Sequence, residues 1–212
     1  MTEEALKQER DDGILSDRLW LICGGIICVV AAFIRFYDLA LKPLHHDEGV
    51  NGFFLTTLFR DGAYRYDPAN YHGPTLYYIA LAFAKVFGLE TVPVRASVAI
   101  FGVLAVVLTL YLRKYIGSVG SLAAAFFITL SPGLVFISRY FIHETFFVFL
   151  SLGLVLSILL FIEKRPVGIG GVFWVVLILL VCFLPSTLNL ANAFGGTNVP
   201  VIWTLRAVLF II

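Results

Sequence analysis

The stretch "LWLICGGIICVVAAFIRFYDLAL", residues 19–41, decides the class of fold. It is apolar along almost its whole length, and a helix needs about 20 such residues to cross a bilayer. Trp20 and the pair Phe36–Tyr37 lie near its ends, where aromatic side chains collect at membrane interfaces. We predict a first, uncleaved span here. Residues 1–18 mix both charge signs and are predicted to form a tail outside the bilayer.

The rest of the chain continues this pattern. Hydrophobic residues make up 60% of the sequence and charged residues only 14%, whereas a soluble domain carries about a quarter charged residues. This composition makes membrane lipids the expected surroundings. The net charge of +1 does not indicate a basic face that would bind nucleic acid. We predict an all-α, polytopic transmembrane helical bundle of about five to six spans. After the first span, these are residues 94–112, 119–138, 145–162, 171–190 and an incomplete one from 199.

The basic residues predict the direction of the spans. Short loops rich in Lys and Arg stay in the cytoplasm, and the densest pairs are Arg113–Lys114 and Lys164–Arg165. These pairs share a side with the N-terminal tail only if the helix-like segment 72–88 does not cross. We therefore predict a multi-pass protein of the cell (plasma or inner) membrane with a cytoplasmic N-terminus. Its predicted parts are a tail (1–18), a transmembrane domain (19–190) with an external loop (43–90) bearing a surface or re-entrant helix, and a loop with an incomplete last span (191–212).

Two polar clusters are expected to meet at the outer face. They are "HHDEG", residues 45–49, and "SRYFIHET", residues 138–145. Asp47 and Glu48 are adjacent, so on a helix their side chains point about 100° apart. One of them can face a cavity while the other caps the helix or forms a local pair. Two such clusters at one membrane surface are what a shared site requires.

The charged residues at the predicted span ends leave alternatives open. Arg95 and Arg139 can either reach lipid headgroups or bind the phosphate of a lipid-linked substrate. His45 and His46 beside the acids are interpreted as interfacial histidines bound to loop backbone, because neighbouring side chains rarely converge on one ion. No metal or other cofactor is predicted, with a divalent ion as the alternative. The cysteines, all in apolar runs, are predicted to be unpaired.

Four segments in order carry a resemblance to a known family. After "HHDEG" come "YHGPTLYY", "VPVRASVAIFGVLAVVLTLYLRKYIG" and "LSPGLVFISRYFIHETFF". Over about residues 19–162 the chain resembles the GT-C glycosyltransferases of the protein O-mannosyltransferase and aminoarabinose transferase type. The resemblance implies inverting transfer of a sugar from a polyprenyl phosphate, at the outer membrane face. The acceptor class, whether glycan, lipid or protein, stays open.

The resemblance also implies roles for individual residues. Asp47 matches the catalytic aspartate and Glu48 its acidic neighbour. Other matching or adjacent positions are expected to bind substrate, namely His46, His72, Arg95, Arg139 and Glu144. His72 precedes one proline here, Pro74, where many family members have two in succession.

Other interpretations of the sequence remain. Because members of this family have more spans, the chain is expected to be the N-terminal part of such an enzyme. One alternative function is a transporter or channel subunit, although the middles of the four best spans contain no ionisable group. A second is a non-catalytic scaffold that acts with a partner through the small-residue run 120–125.

Overall fold

The computed structural model describes residues 15–65, 67 and 72–193, with side chains up to residue 182. This part of the chain is helical and contains no strand, which confirms the predicted all-α bundle. Its helices, in chain order, are α1 (Asp17–Phe36), α2 (His46–Asp61), α3 (Thr75–Phe87), α4 (Thr91–Tyr111), α5 (Arg113–Leu130), α6 (Pro132–Ser138), α7 (Glu144–Ile162) and α8 (Pro166–Ala193).

Within the described residues, three helices are long and apolar enough to cross a membrane by themselves: α1, α4 and α7. Helices α5 and α6 together are also apolar and long enough for a broken span or a re-entrant loop, and they are bent by 62° at the break between them. The predicted span 119–138 is therefore a broken helix, because Pro132 has no N–H to continue the hydrogen-bond ladder. The predicted span 171–190 falls within α8, and the one expected from residue 199 lies outside the described residues.

The central helix of the bundle is α4, which packs against α1, α3, α5 and α7. Its small residues Ala99, Gly102 and Ala105 allow this close approach on several sides. By contrast, α1 exposes an apolar face that includes Ile26, Val29 and Phe33. An exposed apolar helix face is what a lipid environment accommodates, so α1 lies at the edge of the bundle.

The basic turns lie at one end of the bundle, which we call the basic end. Lys114, in the first turn of α5, pairs with Glu163 after α7 at 2.6 Å. Arg113 pairs with Asp17 at the start of α1, also at 2.6 Å. The start of α1 and both basic turns therefore share one end, as the charge pattern predicted.

The opposite end, which we call the site end, carries α2 and α3. Helix α3 has 13 residues, so it is about 20 Å long and too short for a hydrocarbon core of about 30 Å. Its first turn lies beside His143, just before α7, and it ends shortly before α4 begins. Both of its ends thus adjoin the site end, and that segment 72–88 does not cross stays a prediction.

Candidate functional site

Glu48 is the most enclosed acid of the site. Its side chain is fully buried, and its two oxygens accept hydrogen bonds from Arg95 Nε (2.8 Å) and Nη2 (2.7 Å). They also accept from the backbone N–H groups of Phe141 and His45, each at 2.9 Å. Burial alone would raise the pKa of Glu48, but these bonds and the Arg95 charge lower it below its usual value. Glu48 thus ties α2 to α4 and to the α6–α7 connection as a carboxylate.

Arg95 uses all of its donors on this chain. Besides its two bonds to Glu48, it donates to the carbonyl oxygens of Leu39 and Lys42 through Nη1 and to that of Pro43 through Nη2. A guanidinium has five N–H groups, so none is left for a ligand. Arg95 holds the connection between α1 and α2, and its geometry does not support the expected contact with a substrate phosphate.

The Asp47 side chain points away from the buried Glu48–Arg95 pair, and 66% of it is exposed. The N-cap residue of α2 is His45, whose Nδ1 accepts the Asp47 backbone N–H at 3.4 Å. Since the capping interaction turns Glu48 inward, its helical neighbour Asp47 must face outward. His46, 85% exposed, lies beside the Asp47 carboxylate with 3.4 Å between Nδ1 and Oδ1. The two acids therefore lie in different surroundings, and their roles stay predictions.

A cavity of about 450 Å³ opens at the site end, and we call it the cationic cavity. Arg139 lines it and donates to the carbonyl oxygens of Ile34, Tyr37 and Asp38. These bonds use three of its five N–H groups, and within the described residues no acceptor engages the other two. The complete lining is Tyr37, Asp38, Leu39, Leu41, Lys42, Arg95, Pro132, Val135, Phe136, Arg139 and Tyr140.

The cationic cavity is close to Asp47. The Tyr140 ring, part of its wall, meets the His45 ring edge-on at a centroid distance of 6.0 Å. His45 in turn lies beside the Asp47 carboxylate, with 3.6 Å between Nδ1 and Oδ2. Arg95 lies over the same tyrosine ring, 5.3 Å from its centroid. One layer of side chains thus separates the exposed acid from the cavity.

A second polar cluster joins α3 to the start of α7. The rings of His72 and His143 stack at a centroid distance of 4.0 Å, and Tyr77 meets His143 edge-on at 5.2 Å. The Tyr77 hydroxyl donates to Asn51 on α2 at 2.6 Å, and the Asn51 amide donates to the Phe141 carbonyl at 2.9 Å. The "HGPT" segment therefore also meets "SRYFIHET", which was not predicted, whereas the predicted meeting of "HHDEG" and "SRYFIHET" is made by the contacts of Glu48 with Phe141 and of His45 with Tyr140.

The two stacked histidines favour their neutral forms. Burial lowers the pKa of His143 well below its usual value, and the neighbouring His72 lowers it further. Burial also lowers the pKa of His72, while the charge of Glu144 acts in the opposite direction. Both ring nitrogens of His143 lack a protein partner in the described part of the chain. Glu144 itself is exposed, so it forms the open side of this cluster.

The missing second proline after His72 has a packing explanation. The Gly73 N–H donates to the Cys182 carbonyl of α8 at 2.7 Å, a bond that proline cannot make. A Cβ atom at Gly73 would also lie 2.0 Å from the Val181 carbonyl oxygen. Glycine is therefore required where α8 contacts the start of α3.

Three site residues were not predicted from the sequence: Lys42 and Tyr140 line the cationic cavity, and His143 stacks on His72. His45 was interpreted as bound to loop backbone, and in the structure it accepts the Asp47 N–H and caps α2. Its position three residues before Glu48 matches the capping-box spacing. Within the described residues, no three His, Cys, Asp or Glu side chains are grouped to hold a metal ion. The three cysteines are free.

These features define the class: a multi-pass helical membrane protein with a polar site gathered at one end of its bundle. The profile of the dolichyl-phosphate-mannose-protein mannosyltransferase family matches residues 56–186, which is more than half of the chain. The chain belongs to this family and is a membrane glycosyltransferase of the GT-C type. Neither a curated protein nor a solved structure matched the chain.

The matched region covers only part of the candidate site. It includes His72, Arg95, Arg139 and Glu144, and it begins after Asp47 and Glu48. The roles of the two adjacent acids therefore rest on their geometry and on the local sequence.

Proposed function

We propose that the protein transfers a sugar from a polyprenyl-phosphate donor to an acceptor hydroxyl at the outer membrane face, with inversion and with Asp47 as general base. One observation carries this proposal. Asp47 is open to solvent beside a cationic cavity, while its neighbour Glu48 is enclosed and fully bonded. An acceptor can reach the first carboxylate and not the second. The membrane position lets a lipid tail stay in the bilayer while its sugar meets water.

The reaction is a single displacement at the anomeric carbon. The acceptor oxygen forms a bond to this carbon, the bond to the phosphate oxygen breaks, and the electron pair leaves with the phosphate. Asp47 accepts the hydroxyl proton, which is worth about 10²–10⁴ in rate. Negative charge grows on the leaving phosphate, and cations placed there stabilise it. The proposed phosphate ligands are Lys42 and Arg139, two of whose N–H groups have no acceptor among the described residues.

The remaining predicted residues receive distinct roles. Glu48 and Arg95 are proposed to position the loop that carries Asp47, because their bonding groups are used within the chain. His46 is proposed to contact substrate beside Asp47. His72 and Glu144 are proposed to contact the acceptor, since their cluster is open on the Glu144 side. This chemistry uses protein side chains, and we expect transfer to persist after chelation of divalent ions.

The decisive experiment compares two acids of the same helix. Asp47→Asn in the full-length protein should lower transfer from a polyprenyl-phosphate-linked sugar about 10²–10⁴-fold, because the amide cannot accept the proton. Asp61→Asn, at the far end of α2, is the matched control and should transfer at the wild-type rate. The rate would be measured with purified protein in liposomes.

Normal transfer by folded Asp47→Asn protein would exclude Asp47 as the base. If the wild-type protein transferred no sugar but carried an ion flux in the same liposomes, the transporter interpretation would replace the proposal.

A further inference from the structure

Arg35 is buried in the bundle without a carboxylate. It lies in the last turn of α1 with 1% of its surface exposed. Its Nη2 donates to the Ile128 carbonyl at 3.0 Å, and its Nη1 donates to the Thr129 carbonyl at 3.4 Å. Among the described residues it forms no ion pair. Burying a cation in an apolar helix bundle is unfavourable, so the contacts that Arg35 makes with the end of α5 must compensate for its burial.

These contacts lie at the break between α5 and α6. In a continuous helix the N–H of residue 132 would donate to the carbonyl of Ile128, but residue 132 is proline and has no N–H. A carbonyl left unpaired in an apolar bundle is unfavourable, because lipid offers no hydrogen-bond donor in place of the missing N–H. The Arg35 guanidinium supplies the donor that Pro132 lacks. It also places a positive charge at the negative end of the α5 dipole.

Helix α4 is shaped to admit this guanidinium. A Cβ atom at Gly102 would lie 2.8 Å from Arg35 Nε and 2.7 Å from the Cβ atom of Ser138 on α6. Both contacts are closer than side chains tolerate. Gly102 therefore permits Arg35 and the end of α6 to approach the same point of α4.

The position of α6 determines the wall of the cationic cavity. Pro132, Val135 and Phe136 of α6 line it, and Arg139 follows the end of the helix. The 62° bend directs these residues to the site end. A change at the break would move the cavity wall and Arg139 together.

We propose that Arg35 is a positioning residue for the cationic cavity: it replaces the backbone donor missing at Pro132 and so holds α6 at the angle that places Arg139. The kinetic consequence of this proposal rests on the proposed function. The geometric consequence does not, so the two are measured separately.

The geometric test measures a distance across the cavity. Spin labels at Leu41→Cys and Phe136→Cys, two exposed residues of its lining, report the position of α6 relative to the α1–α2 connection. The native cysteines are replaced in this background. Pulsed electron paramagnetic resonance on the full-length protein should give a shifted or broadened distance distribution for Arg35→Gln. Arg60→Gln, which removes an exposed arginine of α2, is the control and should leave the distribution unchanged.

The kinetic test uses unlabelled protein. Arg35→Gln should raise KM for the polyprenyl-phosphate donor by about tenfold or more, because a small displacement of Arg139 weakens its contact with the donor phosphate. Arg35→Lys should lie between wild type and Arg35→Gln, since one ammonium can still donate to a carbonyl of the break. A loss of stability alone would reduce the amount of active protein and leave KM unchanged.

A second variant covers the case in which Arg35→Gln does not fold. Gly102→Ala should displace the guanidinium and shift the same distance, whereas Gly25→Ala, where a Cβ meets nothing within 4 Å, should not. An unchanged distribution in folded Arg35→Gln, or in Gly102→Ala where Arg35→Gln does not fold, would overturn the proposal, and so would a shifted distance with an unchanged donor KM. A wild-type protein that transfers no sugar would overturn the proposed function alone. The distance between the two spin labels does not depend on transfer, so it would still test the position of α6.

Discussion

Asp47 and Glu48 are chemically similar neighbours in very different surroundings. The N-cap of α2 fixes the rotation of the helix, so Glu48 reaches Arg95 inside the protein while Asp47 reaches solvent. A buried carboxylate is stable only with charge and hydrogen bonds around it, and Glu48 has both. An exposed carboxylate is free to meet a substrate. At the scale of residues, the proposed function rests on this division.

We predict that Glu48→Gln destabilises the protein by about 3–5 kcal/mol, because Arg95 would be left buried without a counter-charge. Thermal unfolding in detergent measures the effect, with Asp47→Asn as the control that should unfold like wild type. Combining Glu48→Gln with Arg95→Met should cost less than the sum of the two single changes. Additive costs would show that the pair is not coupled.

At the scale of elements, the site end depends on contacts between helices far apart in sequence. Helices α3 and α7 meet through the stacked rings of His72 and His143, and α8 reaches α3 at Gly73. Both contacts require neutral or small groups, since two imidazolium rings at 4.0 Å would repel each other. The junction is therefore expected to respond to pH.

We predict that stability falls as the pH drops from 7.5 to 5.5. Above the usual histidine pKa of about 6.5 both the folded and the unfolded chain are neutral at His143, so pH has no effect. Below it the unfolded chain binds a proton that the folded chain does not, because the folded pKa is lowered. One such group lowers stability by up to about 1.4 kcal/mol per pH unit, and His72 acts in the same direction.

The control variants for this prediction separate the buried ring from an exposed one. His143→Phe should show a smaller drop in melting temperature between the two pH values, while His46→Phe should keep the wild-type drop because His46 is exposed. Equal drops in all three proteins would contradict a role of the stacked pair.

At the scale of the whole molecule, charge is sorted between the two ends of the bundle. The basic end holds Arg113, Lys114 and Arg165, and the site end holds the cationic cavity and the exposed Asp47. The small-residue run 120–125, considered as a surface for a partner, contributes buried Ser121 and Ala125 to the packing of this chain itself.

We predict that the two ends lie on opposite sides of the membrane, with the basic end in the cytoplasm. In a background without the native cysteines, Glu90→Cys at the site end should react with a membrane-impermeant maleimide in intact cells. Arg165→Cys at the basic end should react only after permeabilisation. The reverse pattern would refute the proposed orientation, and labelling of both in intact cells would refute the opposed ends.

The sequence by itself determined the all-α membrane architecture, the shared basic end and the meeting of the two polar segments. Apolar length and loop charge are local properties, so they can be read without coordinates. The broken span was not predicted in this way, although Ser131–Pro132 marked its position, because the packing at the break involves a contact from Arg35 on another helix.

Tertiary structure alone decided which charged side chains are bonded within the protein and which are accessible to solvent or a ligand. Nothing local distinguishes Arg95, with all its donors engaged, from Arg139, which retains two. The same holds for buried His143 and exposed His46. Hydrogen-bond partners at these positions come from segments many residues away, and only the packed bundle brings them within reach.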